Sequence, residues 1–220
     1  MTKKITTLVL ITVCCWFQAT AQVPAREEPF HKKKIENKYF RLLDVWIKPA
    51  DTSMFHIHAT PSLFLQFTST YVCVQEKGKA WAKNKNQEGN ASYMSFINDT
   101  LVHRVSNCDT VPFHVTDIEL LEAYKPNNLI KPLALSILFD NEKAMAYRIT
   151  ASSLNNKLIT GRGPMVAELV AGDHVMYHNT INKKSTKIKT GKYLYIEPGS
   201  SFYFSSNGNK EINMVLFEIK

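Results

Sequence analysis

Apolar and aromatic positions along this chain fall in short runs that alternate with polar ones at a period near two. Residues 40–47, 63–67, 71–75, 93–97 and 113–121 are rich in Val, Ile, Leu, Phe and Tyr. Turn formers punctuate them: Pro49-Ala50-Asp51-Thr52, the stretch 83–90, and Asn107-Cys108-Asp109. A period of two in β-branched and aromatic residues predicts half-buried strands. Only residues 120–124 hold a spacing that a helix could use. Many short strands predict an all-β protein built as a sandwich or barrel.

The pattern also repeats. Asn37 to Val45 lines up with Asn141 to Ile149 at an offset of 104, each reading as an opening strand. At an offset of 100, Tyr93-Met94 meets Tyr193-Leu194, and His103 to Asn107 meets Tyr203 to Asn207. The closing strands agree as well, Asp117 to Leu120 against Leu216 to Ile219. Order and spacing carry this repeat, since few letters match. It predicts two related β units, residues 37–123 and 141–220, joined across 124–140 near Lys125-Pro126-Asn127-Asn128.

Composition adds a compartment. Lys3 and Lys4, a short apolar run to Val13, and Ala19-Thr20-Ala21 have the form of a cleaved leader, so residues 1–21 are expected to be a signal peptide and the protein to be exported, periplasmic or extracellular. The run is too short for a membrane span. Without the leader the formal charge is +6, concentrated in His31-Lys32-Lys33-Lys34 and in 183–192. These read as a solvated tail within a basic segment, 22–36, and a solvated hairpin. Interleaved aromatics and nucleic-acid motifs are lacking there, so no nucleic-acid partner is expected. Of four cysteines only Cys73 and Cys108 remain, read as a pair of small buried residues because sequence alone cannot bring their Cα atoms together.

The candidate chemistry is histidine. His56-Ile57-His58 on an extended segment places two imidazoles on one face, and His103 is the distant residue that completes a site. His31 is assigned to the tail and His114 to core or surface. Gln66, Tyr71 and Tyr93 lie near the site in strand order and are candidates to orient a ligand. No nucleophile elbow, phosphate loop or Cys-x-x-Cys pair is present, so hydrolase, nucleotide and thiol-redox readings have no support.

His56-Ile57-His58, followed by His103 and Asn107, resembles the two motifs of the cupins, small double-stranded jelly rolls, and the whole chain resembles a bicupin. The resemblance implies two tandem jelly-roll units. It further implies a divalent metal (Fe, Zn, Mn, Ni or Cu) held by His56, His58 and His103 in unit 1. Two features depart from the family. The usual glutamate is absent, Thr60-Pro61-Ser62-Leu63 standing in its place, and the turn before the second motif is Asn98-Asp99-Thr100. Unit 2 keeps that turn as Glu197-Pro198-Gly199 but has Thr160, Arg162 and Tyr203 or Phe202 where the ligands would stand, which makes it a scaffold copy without a metal site. The function implied is binding of a small polar or anionic ligand in the barrel of unit 1; the alternative is a metal-dependent dioxygenase or isomerase acting on a small polar substrate. A homodimer is compatible with either.

Overall fold

The computed structural model describes residues 22–126, 130–154, 156–206 and 211–220. The leader, and part of the joint at Asn127-Asn128, lie outside the described residues. The first ten strands are β1 (Val23–Pro24), β2 (His31–Glu36), β3 (Phe40–Ile47), β4 (His56–His58), β5 (Ser62–Gln66), β6 (Thr70–Glu76), β7 (Ala82–Asn86), β8 (Ala91–Met94), β9 (Leu101–Asn107) and β10 (Phe113–Leu120). They form two facing five-stranded sheets, β1-β4-β9-β6-β7 and β2-β3-β10-β5-β8. Eight more follow: β11 (Ser136–Asp140), β12 (Ala144–Thr150), β13 (Met165–Ala171), β14 (His174–Asn179), β15 (Ser185–Lys189), β16 (Lys192–Ile196), β17 (Phe202–Ser205) and β18 (Asn213–Ile219). These build β11-β12-β18-β13-β16 against β15-β14-β17.

The two halves repeat one strand order. β2-β3-β10-β5-β8 corresponds to β11-β12-β18-β13-β16, and β9-β6-β7 to β17-β14-β15. The place of β4 is taken by an isolated bridge between Ile159 and Phe202. The protein is therefore all-β, two tandem jelly rolls. Residues 120–124 form no helix, because β10 runs to Leu120 and its last residues pair with β3.

Three apolar clusters explain why some strands read as continuous hydrophobic runs. β10 is buried at every position. Its Phe113 and Val115 face the interior of the first roll. Its Ile118 and Leu120 belong to a second cluster, with Phe40, Leu63 and Leu65 of the first roll and Val166, Val215 and Phe217 of the second. That second cluster fastens the two rolls together, so both faces of the central strands exclude water. Buried Glu168 of β13 accepts a hydrogen bond from Thr116 across this interface at 2.9 Å, and burial pushes its carboxyl up to about 8. The third cluster fills the second roll with side chains such as Tyr147, Phe202, Phe204 and Leu216. The first roll keeps a cavity among its own strands.

Two sequence expectations are corrected here. The basic segment is no free tail: β1 pairs in parallel with β4, and β2 pairs with β3. Lys32, Lys33 and Lys34 stay exposed while His31 is 7% exposed and turned inward. Cys73 and Cys108 form a disulfide, Cα to Cα 5.9 Å. They are not buried small residues; Cys73 on β6 lies beside β9, and Cys108 directly follows β9, so the sheet brings them within bridging reach.

Candidate metal centre

β4 is three residues long, and its alternation decides the site. His56 and His58 are buried and point into the first roll, while Ile57 points away. Antiparallel pairing sets His56 directly opposite His103 on β9. The lead-in to β4 is held by Ser53, whose backbone N–H donates to the Val105 carbonyl and whose Oγ accepts from the Val105 N–H, both at 2.8 Å. The ring centroids of His56, His58 and His103 are 5.0, 4.6 and 5.0 Å apart, a nearly regular triangle. All three sequence candidates thus line one cavity, although the imidazoles whose ligand nitrogens all lie within 4.8 Å of one another are His31, His56 and His58, without His103.

Two further residues join them that sequence reasoning missed. His31, assigned to a tail, packs with its ring 4.7 Å from His56 and 6.1 Å from His58. His31, His56 and His58 each offer a ligand nitrogen within 4.8 Å of the others. Asp117 of β10, 1% exposed, lines the same cavity. Its carboxylate lies 3.3 Å from His58 Nδ1 without the alignment of a hydrogen bond. Asp117 had a signal: it and Glu119 are the charges at the parity of Phe113 and Val115 in a hydrophobic strand, and Glu119 is taken up by Arg41. His31 had none, being embedded in a lysine run.

The hydrogen bonds choose the tautomers. His56 Nδ1 donates to the Met54 carbonyl at 2.9 Å, which leaves the lone pair on Nε2. His31 Nδ1 donates to Glu28 Oε2 at 2.8 Å. Glu28 also accepts from the backbone N–H of Phe30 and of Met54. Burial works against its charge, but the His31 hydrogen bond and charge together with these amides hold the carboxyl below its ordinary range. A carboxylate that orients an imidazole in this way is the usual outer support of a metal ligand.

His56 Nε2, His58 Nδ1, His103 Nε2 and both oxygens of Asp117 are buried without a hydrogen-bond partner. Orphaned polar atoms are costly singly, and five facing one cavity need a common partner. Burial first, then repulsion from His31 and His58, lowers His56 to about 3; burial and the neighbouring imidazoles lower His103 to about 2. Both rings are neutral at physiological pH, the state a metal requires. Imidazoles with a carboxylate fit a divalent transition metal.

No family model matches the chain, and no curated protein matches it in sequence. Solved structures do match in fold. AerE from Microcystis aeruginosa superposes with a TM-score of 0.57 at 11% identity, over 88% of this chain and 98% of that one. Protein Ylba from E. coli, of family DUF861, gives 0.57 at 11% identity over 86% of each chain. The cupin 2 conserved barrel domain protein from Leptotrichia buccalis gives 0.54 at 7% identity, over 86% of this chain and 87% of that one.

The fold is that of the cupins.

Within the cupin frame, the glutamate missing after His58 leaves the site with a carboxylate from another strand, Asp117. Asn107 of the second motif is a brace: its side-chain amide donates to the carbonyls of Ile47 and Val111, both at 2.9 Å. Of the three candidates to orient a ligand, Gln66 lines the cavity. Tyr71 is 40% exposed beneath Lys83 on the outer face, and Tyr93 reaches Glu142 of the second unit. In the second cupin unit Ile159 and Phe202 form the inward cross-strand pair where the first has His56 and His103; Tyr203 faces outward, stacked on His178 at 4.5 Å. Arg162 is buried and paired with Glu218, which also accepts from Tyr147 at 3.2 Å. His114 is buried on the outer side of the first roll, with Nε2 2.8 Å from Asp44 Oδ1 and its ring between Trp46 and Phe67. No helix among the described residues is long and apolar enough to cross a membrane.

Proposed function

We propose that the protein is an exported bicupin whose first barrel binds a small polar or anionic ligand at one divalent metal ion, held by His56, His58 and His103 with His31 and Asp117 as further donors. The observation that carries this reading is the set of unpartnered buried atoms on His56, His58, His103 and Asp117 in one cavity. An ion there, Fe, Zn, Mn, Ni or Cu, would polarise and orient an oxygen of the ligand. Met54 and Glu28 keep the Nε2 lone pairs of His56 and His31 available, and Asp117 offsets part of the ion's charge. The test is metal analysis of untagged protein incubated with each metal in turn. One equivalent per chain is expected; less than a tenth of an equivalent with all five metals ends the reading.

Asp117 favours a second reading, a metal-dependent oxygenase or isomerase, because a buried carboxylate beside a bound ligand is placed to take a proton. Turnover of any substrate that disappears in Asp117→Asn while metal content is kept would select it. Export rests on Lys3, Lys4, the apolar run and Ala19-Thr20-Ala21. The secreted product is expected to begin at Gln22 on N-terminal sequencing; a cytoplasmic product that keeps Met1 would refute export.

A further inference from the structure

The cavity of the first roll has two unlike ends and an apolar waist. Its imidazole end is built at one side of the two sheets, by β4 and β9 with His31 of β2 facing them. Its other end lies between the edge strands β7 and β8, where Asn84, Asn86 and Ser92 line it. The strands between contribute Val72 and Val74 of β6 and Val115 of β10, with Phe64 of β5 beside them. From β9 across β6 to β7 is two strand spacings, about 10 Å. Gln66 lies between the ends, and its side-chain oxygen is buried without a partner. The amide oxygen accepts from a hydroxyl and the amide nitrogen donates to one, so Gln66 can serve a ligand hydroxyl whichever way its amide is turned.

Charge narrows the ligand further. Asp117 is the one carboxylate lining this cavity, and no lysine or arginine lines it among the described residues. A divalent ion would therefore be the one cation facing a ligand in this cavity, and it would lie at the imidazole end. A second anionic group on the ligand would meet valines, phenylalanines or the uncharged Asn84, Asn86 and Ser92 rim, where a charge without a counter-charge is costly. The cavity is about 210 Å³, below the roughly 300–1,000 Å³ of sites for drug-sized ligands.

We infer that the ligand of this site is a compact monoanion, a carboxylate or a similar oxygen donor, with a ring-sized apolar body and an uncharged hydrogen-bonding far end. This rests on the metal-centre reading proposed above. The anionic group faces the ion, the apolar body lies against Val72, Val74 and Phe64, and the far end meets Gln66 and the Asn84, Asn86 and Ser92 rim. Small dicarboxylates are disfavoured, because they fill the charged end twice and the waist not at all.

The probes are 4-hydroxybenzoate, oxalate and terephthalate, titrated calorimetrically into metal-loaded protein whose metal content has been measured first. 4-Hydroxybenzoate is expected to bind at least ten-fold more tightly than either dicarboxylate. Val74→Thr, which sets a hydroxyl into the waist at nearly constant shape, is expected to weaken 4-hydroxybenzoate several-fold and to leave metal content unchanged. Asn86→Arg, which adds a cation at the edge-strand rim, is expected to bring terephthalate to within a few-fold of 4-hydroxybenzoate. Oxalate or terephthalate binding as tightly as 4-hydroxybenzoate to the wild-type protein overturns the inference and leaves the metal centre standing, as does a Val74→Thr protein with unchanged affinity. A chain that takes up no metal overturns both, and the metal analysis records that before any ligand is added.

Discussion

Replacing His58 by alanine is expected to remove the bound metal, lowering its content from one equivalent to less than a tenth under conditions that load the wild-type protein. His58 stands in both imidazole groupings of the first roll: its nitrogen lies with those of His31 and His56, and its ring is 5.0 Å from both His56 and His103. Its Nδ1 is also the nearest ring nitrogen to the Asp117 carboxylate. Losing it leaves too few donors and separates the carboxylate from the rings. Saturating metal should raise the unfolding free energy of the wild type by about 3 kcal/mol at a hundred-fold excess over its dissociation constant, and should leave His58→Ala unmoved. His58→Gln, closer in volume, controls for the cavity left under Phe96, whose ring stacks on His58 at 5.3 Å. Glu28→Gln is the graded companion: it loosens His31 without touching a ligand, and a 10–100-fold loss of affinity is expected. A His58→Ala protein that keeps a full equivalent would refute the metal centre.

Acid is expected to destabilise a metal-free Glu168→Gln protein strongly, and from a higher pH than its lowered carboxylates account for. In the unfolded chain both rings titrate near 6.5; in the folded protein His56 is lowered to about 3 and His103 to about 2, by burial first and by the neighbouring imidazoles next. Below pH 6.5 the unfolded state therefore binds more protons, so stability falls as pH drops through 6.5, and continues to fall until the folded-state values are reached. Between pH 7 and 4.5 each ring contributes up to about 3 kcal/mol. The two together contribute roughly 5 kcal/mol at most, since the rings are coupled. Glu168, which burial pushes up to about 8, takes up its proton first in the folded state and would offset about 3 kcal/mol of this over the same window, which is why it is replaced. Glu28 and Asp44, held below their ordinary values of 4.5 and 3.8, lose their contributions only below that window. Urea titrations of metal-free Glu168→Gln protein at pH 7, 6, 5 and 4.5 measure the slope, and adding His103→Gln should remove about half of it. Stability that stays level across this range would show that the rings are charged, or solvated, in the folded state.

The sequence by itself determined the local elements and their repetition. Residues 40–47 are the strand β3 that their pattern predicts, because a period of two is a property of extended backbone and needs no partner to be read. Strand order repeats between the halves, because each unit must bury one face of the same set of strands. His56, His58 and His103 were legible for the same reason: two lie on one face of a single strand, and the third sits in a second motif at a recognisable distance. The remaining decisions were tertiary. Asp117 reaches His58 across 59 positions of chain, and its inward parity names a buried carboxylate without naming what it faces. His31 is set among exposed lysines, and only the docking of β2 on β3, with β1 beside β4, turns its ring toward His56. Cys73 and Cys108 become neighbours through the pairing of β6 with β9, and Phe202, rather than Tyr203, faces inward because register sets parity. Periodicity along a chain records which face a side chain takes; which side chains meet on that face depends on strand pairing, which is non-local and was settled only when the sheets closed.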